Sequence, residues 1–245
     1  MKVALLLSGH FRSYDKAYKT LEKNVLDICN PDIFISSEET IGYNNQTNGG
    51  RGDEHLIYVP LNIVNLEQLY HPKKILIEQR QKYSIQKYMH RLGHGSRGAE
   101  QMFGMFYGIN KANQLKIEYE KENNFRYDVV IRCRPDLFFD SPLDRNELEN
   151  SLHGGVYFPK FGNYSGLNDQ FAFGNSSNMD LYARVYNNLD VHFNSGCIWH
   201  PEIMLKFNID YYNIPIARSE IKYRILRANG NFFINEHSAR GGDIL

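Results

Sequence analysis

The amino-acid sequence predicts an α/β domain with a mostly parallel central sheet flanked by helices, and three observations carry that expectation. Residues 2–7, 32–36 and 127–131 are dense apolar runs of strand length, the pattern of strands covered on both faces. The first two are joined by a segment in which Tyr14, Tyr18, Leu21, Val25 and Ile28 recur at helical spacing, which reads as a β-α-β start with a right-handed crossover. The third run ends abruptly in charge, Arg132-Cys133-Arg134-Pro135-Asp136, as a buried strand does where it meets a ligand crevice.

Taken in order, the strand at 2–7 leads into the turn Ser8-Gly9-His10-Phe11-Arg12, and Ser13 is placed to cap the first helix. Asn30-Pro31 ends that helix before the second strand at 32–36. Residues 40–55 are rich in Asn, Gly, Gln and Thr without periodicity and read as a long loop, a length at which loops are commonly functional. A third strand is expected at 74–78. A basic, Gly-containing stretch at 90–97 then leads into a helix over about 98–123, with Met102, Phe106, Ile109, Leu115 and Tyr119 on its apolar face. Beyond the central strand, further strands are expected at 155–159 and 169–173. A helix from Ser177 follows, and His200-Pro201-Glu202 reads as another helix start, since proline and acidic residues favour that end. The tail holds a hairpin, 223–227 with 232–235, about Asn229-Gly230. No repeat or linker divides the 245 residues, so one domain is expected.

The 28 basic and 28 acidic residues cancel, which excludes bulk attraction to nucleic acid or to an anionic membrane surface and makes any anion site a local one. Cys29, Cys133 and Cys197 are odd in number and far apart, so neither a disulfide framework nor a zinc site is indicated and a reducing, cytoplasmic compartment is expected. The apolar run at 3–7 is too short for the core of a signal peptide, and no stretch is long enough for a membrane span.

Four segments carry candidate chemistry. Ser8, Gly9, His10 and Arg12 occupy the first strand-to-helix turn, where backbone N–H groups and the helix dipole receive phosphate. The segment has neither the glycine spacing of a dinucleotide-binding fingerprint nor the Lys-Ser/Thr pair of a P-loop, and its other reading is an ordinary tight turn. Arg132, Arg134 and Asp136 offer two cations for phosphate and one carboxylate for a hard divalent cation; alternatively Asp136 caps the next turn and the arginines form surface ion pairs. Asp169, beside the loop Gly162-Asn163-Tyr164-Ser165-Gly166, is placed to deprotonate a hydroxyl or simply to start a strand. His200 and Glu202 are open to sugar hydroxyls or a metal, or belong only to a helix start, and His237 in the 235–240 tail reads as solvated.

Taken together, the blocks VALLLSGHFRSY, NPDIFIS, YDVVIRCRPDLFF, LNDQFAFG and the HPE after Trp199 resemble the small bacterial and viral sugar transferases of GT-A type that build capsular polysaccharide and lipopolysaccharide. The resemblance spans residues 3 to about 213, and the order of the blocks is more specific than any one of them. It implies a single GT-A-like domain, a nucleoside-diphosphate-sugar donor and a glycan hydroxyl acceptor. In that family a DxD motif at the end of a central strand holds the divalent metal, Mn²⁺ or Mg²⁺, that bridges the donor diphosphate. Here the matching position is Arg134-Pro135-Asp136, so Asp136 alone carries over, which implies either a one-carboxylate metal site or a metal-independent enzyme in which Arg132, Arg134 or Arg12 neutralises the leaving diphosphate. The resemblance also brings the Ser8 to Arg12 turn to the nucleotide and makes Asp169 the first choice of base and Glu202 the second. The expected function is glycosyl transfer in surface-polysaccharide or glycoprotein-glycan synthesis. The alternatives are a nucleotidyltransferase or sulfotransferase using the same phosphate cradle, or a non-catalytic glycan-binding domain.

Overall fold

The computed structural model of the chain describes residues 1–43, 57–79 and 96–233. The chain begins with β1 (Val3–Ser8) and α1 (Tyr14–Leu21). That helix widens into a π-helical turn at Glu22–Leu26 and ends in the short α2 (Asp27–Cys29), where Asn30 takes a left-handed conformation. There follow β2 (Asp32–Glu38), β3 (Thr40–Tyr43), β4 (Ile57–Pro60), α3 (Ile63–Tyr70), β5 (Lys74–Glu78), α4 (Ser96–Glu122), β6 (Val129–Cys133) and β7 (Leu137–Phe139). The last third contains α5 (Arg145–Asn150), β8 (Val156–Pro159), β9 (Phe171–Asn175), α6 (Ser176–Tyr182) with a 3₁₀ turn after it, α7 (Leu189–Asn194), α8 (Pro201–Tyr211), β10 (Ile216–Ser219), β11 (Tyr223–Leu226) and β12 (Phe232–Phe233).

Seven strands form the central sheet in the order β10-β8-β9-β6-β1-β2-β5. It is a mixed sheet, which corrects the expectation of a mostly parallel one. Strands β6, β1, β2 and β5 are mutually parallel, as are β8 and β10, but β9 runs antiparallel to both β6 and β8. The apolar composition of 171–173 marks a buried strand without recording its direction, since strands buried on both faces read alike. A small antiparallel sheet, β12-β11-β7, and the pair β3-β4 lie beside it.

Strand alternation sorts the side chains onto two faces. Ala4, Leu6, Phe34 and Val130 face α4 and pack with Met102, Phe103, Phe106 and Ile109. Leu5, Leu7, Ile33, Ile35 and Ile131 face α1 and pack with Tyr14, Leu21 and Val25. Burial of each such side chain contributes about 1.5–3 kcal/mol, so the layered arrangement follows from the two apolar faces of one sheet. Leu115 and Tyr119 pack at the margin of the α4 face, Tyr119 edge-on to Phe34 at 5.6 Å.

Several local expectations change in physical detail. Ser13 stands at the α1 N-cap, but its hydroxyl donates to the Leu226 carbonyl at 2.7 Å and tethers the tail strand instead of capping. The cap of α6 is Asn175, whose side chain accepts from Asn178 N–H, so that helix begins one residue earlier than expected. Residues 40–43 and 57–60 pair as strands, while 44–55 of the expected 40–55 loop, 90–95 of the basic stretch at 90–97 and His237 lie outside the described residues. The hairpin about Asn229-Gly230 forms, with Leu226 opposite Phe232. All three cysteines are free thiols, and among the described residues no helix is long and apolar enough to cross a membrane.

Candidate active site at the switch point of the sheet

From β1 the chain moves outward to β2 and β5, then returns through α4 to β6 on the other side of β1. The β1/β6 boundary is therefore a topological switch point, and ligands of open α/β sheets bind outside the carboxyl ends of the strands at such points. The turn after β1 and the Arg132 to Asp136 segment after β6 flank it. Gly9 has φ +123°, a conformation that favours glycine, and a Cβ built there would lie 3.7 Å from Pro135 Cδ and 3.8 Å from Arg134 Cγ, so the two loops are in contact.

Asp136 organises this contact. It is fully buried, and both of its oxygens are engaged: Oδ1 accepts from Arg134 Nε at 2.9 Å, while Oδ2 accepts from Arg134 Nη2 at 2.7 Å and from Arg12 Nη2 at 2.9 Å. Burial alone would raise its carboxyl, but Arg134 and Arg12 together outweigh burial and hold it well below the usual carboxylate range. Its carbonyl accepts from Leu226 N–H at 2.8 Å, which ties the segment to β11. Arg12 is nearly as deep, its side chain 3% exposed, whereas Arg134 is 17% exposed. Arg134 Nη1 donates to no described residue. His10 is exposed at the same turn.

Strand alternation puts Arg132 and Ser8 on the opposite side, facing α4. Arg132 is completely buried, and among the described residues only its Nη1 finds a hydrogen bond of ordinary geometry, a long one to the Gln170 carbonyl at 3.4 Å. Burial depresses its pKa, with Tyr182, Cys133 and Asp169 favouring its charge and Arg134 opposing it. The Ser8 and Tyr182 hydroxyls are buried, and Tyr182 lies beside the Arg132 guanidinium, whose charge opposes the burial that raises the phenol's pKa. Ser8 sits against α4 at Gly108, where a Cβ would come 3.5 Å from the serine Cβ.

Asp169 and Glu202 are brought to this end of the sheet by one loop. Asn168, fully buried, accepts on Oδ1 from Gln170 N–H at 2.9 Å and Tyr223 Oη at 2.9 Å, which fixes the backbone on either side of Asp169. Leu167 N–H donates to the Glu202 carbonyl at 3.0 Å, and Gly166 lies so close that a Cβ there would be 2.1 Å from the Glu202 carbonyl carbon and oxygen. Burial raises the Asp169 carboxyl, with Arg134 and Arg132 opposing. Burial and the neighbouring Asp169 push Glu202 up to about 8. Two carboxyl groups this coupled cannot both ionise cheaply, so the pair retains a proton at neutral pH. His200, the N-cap of α8, brings Nδ1 to 2.8 Å from Glu202 Oε2 and is 47% exposed in its side chain.

Apart from His237, the candidate residues read from the sequence thus gather at the carboxyl end of the sheet, where Ser8, Arg12, Arg132, Asp136, Asp169 and Glu202 are buried, Arg134 is partly exposed and His10 is exposed. Two residues escape the sequence reading. Tyr182 reads as one more apolar position of a helix. Tyr164 sits in the glycine-containing loop with φ +41°, next to Ser165 at +64°, and its ring centroid lies 6.4 Å from that of His200. Consecutive left-handed non-glycine residues concentrate at functional sites, and side-chain identity gives no signal of them.

The surroundings of Asp136 do not fit a divalent cation. A cation of this kind takes six or more oxygen ligands, usually including free carboxylates. Asp136 has both oxygens committed to guanidinium groups, and among the described residues no three His, Cys, Asp or Glu side chains cluster as ligands. A separate pocket of about 340 Å³ opens at the amino ends of the strands, between Lys2, Asp32, Tyr119, Phe125 and Tyr127. There Tyr127 Oη donates to Asp32 at 2.7 Å, the Lys2 backbone N–H donates to Asp128 at 2.6 Å, and the Lys2 ammonium lies over the Phe125 ring at 4.0 Å.

Residues 1–227 match the model of a family described as a domain of unknown function (DUF7796). The chain belongs to that family. The match runs from β1 through β11 and so includes every candidate residue named above except His237. No curated protein matches the chain.

Proposed function

We propose that this member of the family is a sugar transferase of GT-A type, which takes a sugar from a nucleoside-diphosphate donor and passes it to a glycan hydroxyl. The observation that carries the proposal is the meeting, at the switch point, of an arginine fork with two carboxyl groups of raised pKa. Asp169 and Glu202 both feel Arg134, so the anion-binding and proton-accepting groups belong to one electrostatic cluster. The β-α-β start and the central position of β1 also support a GT-A-like architecture.

In this reading the donor diphosphate lies over the β1 turn and Arg134, and the acceptor hydroxyl approaches from the side of Tyr164 and His200. The hydroxyl oxygen bonds to the anomeric carbon, the bond from that carbon to the diphosphate oxygen breaks, and the hydroxyl proton passes to Asp169. Asp169, with Arg132 and Arg134 beside it, is the better-stabilised anion of the pair, and Glu202 keeps the proton. The charge developing on the departing diphosphate faces Arg134, a preorganised donor in a site screened from water.

The test is a thermal-shift screen against UDP, GDP, CDP, TDP and adenosine 3′,5′-bisphosphate, since a ligand that binds only the folded state raises its apparent stability. Stabilisation by one nucleoside diphosphate is expected. Stabilisation by the bisphosphate alone would move the reading to sulfotransfer, and binding of glycan without any nucleotide would make the domain a non-catalytic one.

A further inference from the structure

We infer that the phosphate-binding element of this site is a cation-free arginine seat, in which Arg134 presents its outer edge to a diphosphate and Asp136 serves as its brace rather than as a metal ligand. The inference rests on the proposed function and goes beyond it by assigning how the donor is held. The geometry is specific. Nε and Nη2 of Arg134 are both turned inward onto Asp136, at 2.9 and 2.7 Å, which leaves Nη1 as the unengaged corner of the fork. A planar guanidinium held on two of its donors cannot rotate, so the direction of Nη1 is set by the brace. Arg134 N–H in turn donates to the Gln170 carbonyl at 3.0 Å, and Pro135 stiffens the backbone against Gly9.

Charge accounting points the same way. Arg12, Arg134 and Asp136 together carry one net positive charge, and the carboxylate is enclosed on both oxygens by the guanidinium groups. A divalent cation placed on Asp136 would have to break these three charge-assisted hydrogen bonds and sit against two buried cations. A diphosphate meets no such cost: it adds acceptors where Arg134 Nη1 lacks one, beside the exposed His10 and the turn at Gly9. Arg12, which donates to Asp136 at 2.9 Å, acts through that carboxylate and is a positioning residue.

The experiment is calorimetric titration of the full chain with UDP, GDP, CDP and TDP, once in EDTA and once with Mn²⁺, followed by the same titration of Arg134→Lys and Arg134→Ala. One nucleoside diphosphate is expected to bind with the same affinity, within about twofold, in EDTA and in Mn²⁺. Arg134→Lys, which keeps the charge and loses the fork, is expected to weaken binding roughly 10- to 100-fold, the range of a lost charge-assisted hydrogen bond. Binding that requires Mn²⁺, or that survives both Arg134 variants unchanged, would overturn the cation-free seat and leave the transferase reading standing. Absence of binding by all four nucleotides under both conditions would overturn the transferase reading and this inference with it.

Discussion

Replacing Asp136 by asparagine removes one negative charge from between two guanidinium groups while keeping the side chain's size, so the perturbation is electrostatic rather than a cavity. Three hydrogen bonds of 2.7–2.9 Å are affected, and the amide nitrogen would turn N–H toward N–H on at least one of them. Breaking a buried pair by removing one partner costs about 3–5 kcal/mol. Arg12 has almost no access to water with which to recover that loss, and Arg134 has little. For a chain of this size each kcal/mol lowers Tm by about 2–4 °C, so a fall of about 6–20 °C is expected. Because the folded-state pKa of Asp136 is depressed, its contribution is fully present above the unfolded value near 3.8 and is lost as pH falls toward the folded value. Urea unfolding of both proteins should therefore show a difference that is constant at neutral pH and narrows below about pH 4. A variant within about 1 kcal/mol of the parent at pH 7 would refute the role of Asp136 as a brace, since surface ion pairs contribute no more than that.

Glu202 has the opposite sign: its folded pKa is raised to about 8 from 4.5, so the penalty it imposes grows as pH rises between those values, and Glu202→Gln should gain thermal stability over the parent from pH 5 to pH 9. A Tm difference independent of pH would contradict this placement. Gly166→Ala forces a methyl group into the Glu202 backbone and should cost about 1–3 kcal/mol while displacing Asp169, seen as reduced Tm and lost transfer; unchanged values would mean the loop is not pinned there. Lys116, buried against Ser176, Asp180 and Glu120 at 2.9, 2.8 and 3.2 Å, holds α4 to α6 away from the site. Lys116→Met should lower stability by about 3–5 kcal/mol with nucleotide affinity preserved in the folded protein, and a selective loss of affinity would place it in the site after all.

The sheet was most legible where burial is complete. Strands β1, β2 and β6 read directly as apolar runs, the half-buried edge strand β5 reads from Ile75, Leu76 and Ile77, and α4 reads from the spacing of Met102, Phe106 and Ile109. The strands β3, β4 and β10 were missed because they are four residues long and lie at edges or beside the main sheet, where little apolar surface marks them. β7 hides within the charged segment that precedes it, since Leu137 to Phe139 pair with β11 and not with the central sheet. The candidate residues were found because strand ends concentrate charge. Their roles were not, because each depends on a partner remote in sequence: Asp136 on Arg12, 124 positions away, and Ser13 on Leu226, 213 positions away. A local reading of Arg134-Pro135-Asp136 sees a carboxylate open to metal, whereas the fold encloses it between guanidinium groups.

The central claim is glycosyl transfer at the switch point, and its most direct test is the release of nucleoside diphosphate from a panel of UDP-, GDP-, CDP- and TDP-sugars by the parent protein and by Asp169→Asn. One donor is expected to be consumed by the parent, with the rate falling at least about 100-fold in the variant while its nucleotide affinity is retained. No release from any donor, or equal loss of rate and affinity in Asp169→Asn, would contradict the account.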